Sequence, residues 1–407
     1  MSKKSLAALA LAVLALAGCA SGGSGGGSGG SGGSGAPGDT IKIGASLPLT
    51  GALASFGPIL QAGYQAAVDE VNAAGGLSAD GQSHQVELVV LDSASDPNKV
   101  TDQSRTLVEQ NGAVGLLGSI SPALTVPAST VADLEKVPMV STLTPNQAWK
   151  AGNPSGWQYA WNMFFDEQQI SDVSFGTADL AQTTKKIAIF ANTDEDGIAN
   201  GALWEDQAPE HGYTIAYRAD FPAGTTDFTA QINQAKAAGA DILFGVMIPP
   251  DAFALWKQMK ALAWDPQVAF CQKCNSQAAF QGALGELAEG ASVVYLANPS
   301  DAAEYAQVTA RFQKEYGRTV DATSALASYS AAKVLLDAIA TAGSTDADKV
   351  NAAIGSTKKE YPIGNVSFTD HVFSADVAGL QWQGDAQVSV FPAGSGGTLQ
   401  APVKGLQ

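Results

Sequence analysis

The sequence predicts an α/β chain built as two Rossmann-like lobes, each with a parallel-sheet core covered by helices. Three observations carry this. Short uninterrupted apolar runs, such as 113–118, alternate with helical stretches of 10–15 residues, the pattern of buried parallel strands joined by crossover helices. The alternation stops across 145–165, where Trp149, Trp157, Tyr159, Trp161, Phe164 and Phe165 fall with no clean period, and restarts at Lys186. About 370 residues follow the first 38, more than one hydrophobic core ordinarily supports.

The first unit occupies 41–76. Ile41, Ile43 and Leu47 lie among small residues and read as a buried strand. A loop of Thr, Gly, Ser and Pro spans 49–57, and Pro58 suits the first helical position, where its missing N–H is not needed. Leu60, Tyr64, Ala67, Val68 and Val71 then recur at helical spacing, up to a Gly75-Gly76 stop. Such a unit aims a helix N-terminus at the polar loop that ends a strand, where open α/β sheets bind small ligands. Strands at 85–92, 113–118 and 137–140, with helices at 97–111 and from Ser121-Pro122, complete the first lobe. In the second, strands at 186–191, 213–218, 241–247 and 268–271 alternate with helices at 198–210, 227–238, 250–262 and 277–287. A strand at 293–296, helices at 302–316 and 323–342, and short strands near 366–368, 380–382 and 387–391 close the chain.

Hydrophobic residues at 45% and charged residues at 15% describe a globular protein with an ordinary core. The formal net charge of −17 argues against a nucleic-acid partner, which calls for basic patches. His84, His211 and His371 are far apart in sequence, and there is no P-loop, no paired Cys cluster and, outside the low-complexity Gly/Ser tract, no Gly-x-Ser-x-Gly elbow, so neither a metal, a cofactor nor a nucleophilic enzyme site is expected. Cys271 and Cys274 form a C-x-x-C, which a structural disulfide, two free thiols or a redox dithiol would all satisfy. Oxidation with little part in binding is the expectation for the pair.

The N-terminus carries an address. Lys3 and Lys4 precede an apolar run at 6–17 that is too short to span a bilayer. It ends Leu16-Ala17-Gly18-Cys19, which resembles the lipobox of bacterial lipoproteins. That resemblance implies a signal peptide over 1–18, cleavage before Cys19 and lipidation of its sulfur. The Gly/Ser tract up to Gly38 cannot bury surface and reads as a disordered tether over 19–38.

From Asp39 onward, the sequence resembles the type I periplasmic binding proteins, in particular the leucine/isoleucine/valine-binding family of ABC-transporter receptors. The resemblance is carried by IKIG, a Pro-containing turn, LTG, a loop ending in FG and a helix ending DEVNAAGG, followed by the serial order of the later elements. It implies two lobes, 39–164 plus 299–360 and 165–298 plus 361–407, joined by a three-strand hinge with crossovers near 163–166, 297–299 and Tyr361. It further implies a monomeric, non-enzymatic, extracytoplasmic receptor anchored to the membrane through lipid alone. Such a receptor captures a small organic solute, carboxylated or amino-acid-like, and delivers it to ABC permease subunits. A ligand-sensing receptor that signals to a partner would use the same fold, and an extracytoplasmic hydrolase or thiol oxidoreductase is a further alternative.

The resemblance also places a site. The loops holding Ser119 and Ser121, and Thr142 and Thr144, match the family's carboxylate-binding loops, and hydroxyls beside a helix N-terminus suit an anion. Phe56 matches an aromatic that covers the ligand, and Trp161 and Met247 are placed at the cleft. Asp196 falls near the position of a ligand-site Tyr of the family, and Lys273 near that of a Glu that pairs with the ligand's ammonium. A Lys in place of that Glu would meet an α-ammonium with like charge, which favours a carboxylated or polar compound over an amino acid.

Overall fold

A computed structural model describes residues 39–274, 278–297, 310, 311, 313, 314 and 322–407. The segments expected to be a signal peptide and, from Cys19, a tether, and the helix expected at 302–316, lie wholly or largely outside the described residues. Two sheets form the framework. The first has six strands, all parallel, in the spatial order Val372–Ser374, Ala160–Phe164, Met139–Ser141, Ala113–Leu117, Ile41–Leu47, Val86–Asp92. The second has seven, in the order Ala386–Phe391, Val377–Gln383, Ala291–Leu296, Val268–Gln272, Ile242–Val246, Lys186–Asn192, Thr214–Phe221. Val377–Gln383 pairs antiparallel with both of its neighbours, and the remaining pairs are parallel. The expected α/β fold with parallel-sheet cores is therefore present.

Several elements escaped the sequence. Ala160–Phe164 has no period because every one of its residues is buried, so neither face is polar. The Glu167–Ala178 helix follows it directly, opened by a capping box between Asp166 and Gln169. The helix expected at 198–210 starts earlier, at Glu195, because the Asp194 side chain accepts the Gly197 N–H and caps it. Two small hairpins, Leu77–Ala79 with Gln82–His84 and Lys358–Tyr361 with Gly364–Ser367, decorate the first sheet's half.

The chain changes sheets between Phe164 and Glu167, and the Glu167–Ala178 helix packs against strands of the second sheet. It leaves the second sheet after Leu296, and the Ala322–Ala342 helix packs on the first half, chiefly against the Gly57–Ala73 helix. The last change comes later than the expected Tyr361. Val372–Ser374 still pairs in the first sheet and Val377–Gln383 is already in the second. The displacement arises because the 358–367 hairpin turns back before the edge strand forms. The three crossing segments lie side by side. The Ala375 N–H donates to Phe164 O at 3.1 Å, and the Ala297 N–H to Asp376 O at 2.9 Å.

Ser324–Ala342 is apolar and long enough to cross a membrane, but most of it is buried inside the fold, as in a core helix. Its contact with Gly57–Ala73 is close because Gly63 carries no side chain. A Cβ there would lie 2.1 Å from Ser328 Oγ and 2.5 Å from Ala325 O. Gly63→Ala should therefore destabilise the protein by roughly 1–3 kcal/mol, the usual cost of overpacking, despite alanine's better helix propensity. Urea unfolding of parent and variant measures this, and an unchanged midpoint would contradict the packing argument.

Candidate functional site

A cavity lies between the two halves, at the ends toward which the parallel strands run. The first half contributes Phe56, Ile120, Ser121, Leu143, Pro145 and Phe164. The second contributes Asp196, Asn200, Gln272, Lys273 and Tyr295.

The first wall is built from two loops locked together. Gly118 lets them meet, since a Cβ there would lie 2.7 Å from Ser141 Cα. The Ser121 N–H donates to Leu143 O at 3.2 Å. Ser121 and Leu143 both have left-handed backbone, at φ +58° and +55°, a costly conformation for residues with side chains that recurs where a ligand must be met. The Ser121–Glu135 helix opens here without a side-chain cap, so its first-turn dipole is not masked by a capping side chain. Phe56 begins the Gly57–Ala73 helix and is buried against the cavity.

The second wall is polar and charged. Gly197 lies so close to the end of the preceding strand that a Cβ would sit 1.8 Å from Asn192 O, and this approach sets the first turn of the Glu195–Gln207 helix against the cavity. From that turn, Asp196 meets Lys273, whose ammonium donates to Asp194 Oδ2 at 2.6 Å and to Asp196 Oδ2 at 3.0 Å. The Lys273 and Asp196 side chains are only 8% and 6% exposed. Burial pushes the Asp196 carboxyl up, and the Lys273 charge opposes that shift. Burial alone would lower Lys273, but the two carboxylates outweigh it and hold the proton. Among the described residues, three buried oxygens on this wall have no hydrogen-bond partner: Asp196 Oδ1, Asn200 Oδ1 and Gln272 Oε1. Asn200 Nδ2 donates to Asp196 O at 2.8 Å, which turns its oxygen away from the helix backbone. Buried acceptors are almost always paired in proteins, so three at one cavity mark a place for a guest rich in N–H or O–H donors. Phe56, Ile120, Leu143, Pro145, Phe164 and Tyr295 offer that guest apolar surface.

Of the residues singled out in the sequence, Phe56, Ser121, Asp196 and Lys273 line the cavity. The others have different partners. Ser119 is buried outside the lining, its hydroxyl unpaired among the described residues. The Thr142 hydroxyl donates to Met163 O at 2.8 Å, and the Thr144 hydroxyl pairs with Thr125 Oγ1 at 2.7 Å, so both hold the fold. Trp161 stacks on His371 and donates from Nε1 to Asn351 Oδ1, and is not part of the cavity lining. Met247 is fully buried in the second core. Asn200 and Gln272 were missed. Asn200 lies one helical turn after Asp196, on the same face, and Gln272 adjoins Lys273, so both were within reach of spacing arguments. Cys271 and Cys274 are joined as a disulfide.

Behind Pro145, the Asn146–Ala151 helix begins against the other half. Glu167 is buried there, accepting the Gln147 N–H at 3.0 Å and the Ala148 N–H at 2.7 Å. Burial pushes this carboxyl up to about 7, against the pull of those N–H groups, and the Asp196 charge adds to the rise. The folded value thus lies above the ordinary 4.5, so the folded state binds the extra proton. The associated stability is complete below about pH 4.5 and is lost as pH rises through about 7. The stability difference between the parent and Glu167→Gln should move against the parent by on the order of 3 kcal/mol across that window. Urea unfolding at a series of pH values measures it, and a flat difference would place the Glu167 titration elsewhere.

Comparison with known proteins agrees with this architecture. The Leu/Ile/Val-binding protein homolog 8 of Brucella abortus is 24% identical over 379 residues, covering 86% of this chain and 90% of that protein. The crystal structure of a leucine binding protein from Thermotoga maritima superposes with a TM-score of 0.74 at 21% identity, over 86% of this chain and 97% of its own. A solute binding protein of an ABC transporter from Rhodopseudomonas palustris, in complex with 3,4-dihydroxy benzoic acid, gives 0.72 at 19% identity, over 86% and 96%. These two structures share the fold. The family model described as periplasmic binding protein matches residues 40–387, nearly the whole described chain, and the protein therefore belongs to the periplasmic binding protein family, whose members bind solutes rather than transform them.

Proposed function

We propose that this chain is the extracytoplasmic substrate-binding lipoprotein of an ABC importer, and that it captures a small amino-acid-like solute by closure of its two halves. The observation that carries the reading is the polarity of the cavity. Three unpaired acceptor oxygens, from Asp196, Asn200 and Gln272, stand on one wall, and an uncapped helix start at Ser121 stands on the other. Donors such as an ammonium would meet the first and a carboxylate the second, with apolar side chains between. The sequence alone argued against an ammonium because of Lys273. Its charge is matched by Asp194 and Asp196, and Asp196 keeps one oxygen free, which restores the case for an amino acid.

Under this reading the halves divide at the three crossing segments and move as lobes about them, 39–164 with 299 to about 374, and 165–298 with the remainder. The closed form would then be recognised by the permease, with the receptor acting as a monomer.

Calorimetric titration with L-leucine, L-isoleucine, L-valine, L-alanine, benzoate and 3,4-dihydroxybenzoate tests the ligand class. At least one amino acid should bind. Asp196→Asn should weaken it by roughly 10- to 150-fold, the range of a charge-assisted hydrogen bond. Binding of the aromatic acids alone, or an affinity indifferent to Asp196→Asn, would overturn the amino-acid assignment.

The anchor is tested separately. Cys19→Ala should leave the protein folded and move it from the membrane fraction to the soluble fraction. A variant that still fractionates with membranes would remove the lipoprotein part of the proposal.

A further inference from the structure

Sequence spacing gave the Cys271–Cys274 pair little part in binding, and its placement argues otherwise. The disulfide closes a ring that contains only two other residues, Gln272 and Lys273, and both line the cavity. The sulfurs face the opposite way. Cys271 and Cys274 are fully buried in the second hydrophobic core, which also holds Trp256, Phe280 and Met247. Gly245, on the neighbouring strand, makes room for them, since a Cβ there would lie 3.1 Å from Cys271 Sγ and 3.0 Å from Met247 Cε. Lys273 holds left-handed backbone at φ +71°, an uncommon conformation for a residue with a side chain. A ring this short removes little entropy from the unfolded chain, so its main effect is local.

We propose that the Cys271–Cys274 disulfide is a positioning element of the solute site. It staples the cavity wall to the core and holds Gln272 where it faces the solute and Lys273 where it pairs with Asp194 and Asp196. This rests on the cavity being the solute site, as proposed above. The test uses Cys271→Ala/Cys274→Ala in the full chain, with two readouts.

The first readout needs no ligand. Lysine acetylation by acetic anhydride is followed by mass spectrometry. In the parent, Lys273, 8% exposed and paired to two carboxylates, should react far more slowly than the exposed Lys358. In the variant its rate should rise at least tenfold, while Lys333, 15% exposed and paired to Glu70 in the other half, should not change. The second readout is calorimetric titration with L-isoleucine, whose affinity should fall at least tenfold. Unchanged protection of Lys273 overturns the proposal. Unchanged affinity, in a parent that binds L-isoleucine, overturns it as well. A variant that does not fold also overturns it, because the bond would then support the whole fold rather than the wall. If no amino acid binds the parent, the functional reading fails by itself, and the lysine readout still decides whether the disulfide positions Lys273.

Discussion

The second wall of the cavity depends on one buried cation. Lys273 sits between Asp194 and Asp196 with almost no access to water. An isolated charge there would be costly, and removing one partner of a buried pair is usually worse than never having had it. The consequence runs through local structure. Asp194 is also the cap of the Glu195–Gln207 helix, and that helix carries Asp196 and Asn200. A single ammonium thus links the strand end at Gln272 to the helix that completes the wall. It also decides the sign of the cavity, because with Lys273 satisfied, what remains facing the guest is a set of acceptors.

The first wall is tied to the crossing segments by a buried polar network. Asn162 donates to Thr144 O and to Asn146 Oδ1, and accepts from Ser141 Oγ. Asn146 donates to Phe164 O and to Ser374 Oγ, on two different crossing segments. Glu167 takes the next two N–H groups of the same short helix. The loop that presents Leu143 and Pro145 to the cavity is therefore continuous, bond by bond, with the place where the chain passes between halves. Networks of this kind are specific in geometry because each unmet partner is expensive.

Much of the fold was legible because parallel strands and their helices write plain apolar and amphipathic runs. What stayed hidden has physical reasons. Ala160–Phe164 is buried on both faces and has no period to read, and the late edge strand Val372–Ser374 is too short to announce itself. The lining of the cavity was legible where an unusual residue stood at a strand end, as at Ser121, Asp196 and Lys273. It was misread at Thr142 and Thr144, since a hydroxyl that holds a loop and one that holds a ligand look alike in sequence. Trp161 was misplaced for a similar reason. Its indole found a histidine and an asparagine contributed by distant segments, which no local pattern reveals.

The side-by-side bonding of the crossing segments, through Ala375 with Phe164 and Ala297 with Asp376, has a mechanical consequence. Strips of chain joined edge to edge behave as a ribbon, which is compliant to bending across its face and stiff to shear within its plane. Any parting of the halves would then resemble the opening of a book along its spine. Side chains on the two facing pages would separate and return without losing alignment, so Ser121 and Asp196 would meet in the same registration on every cycle. Selectivity for a small solute could thus survive repeated opening without being rebuilt by local folding each time.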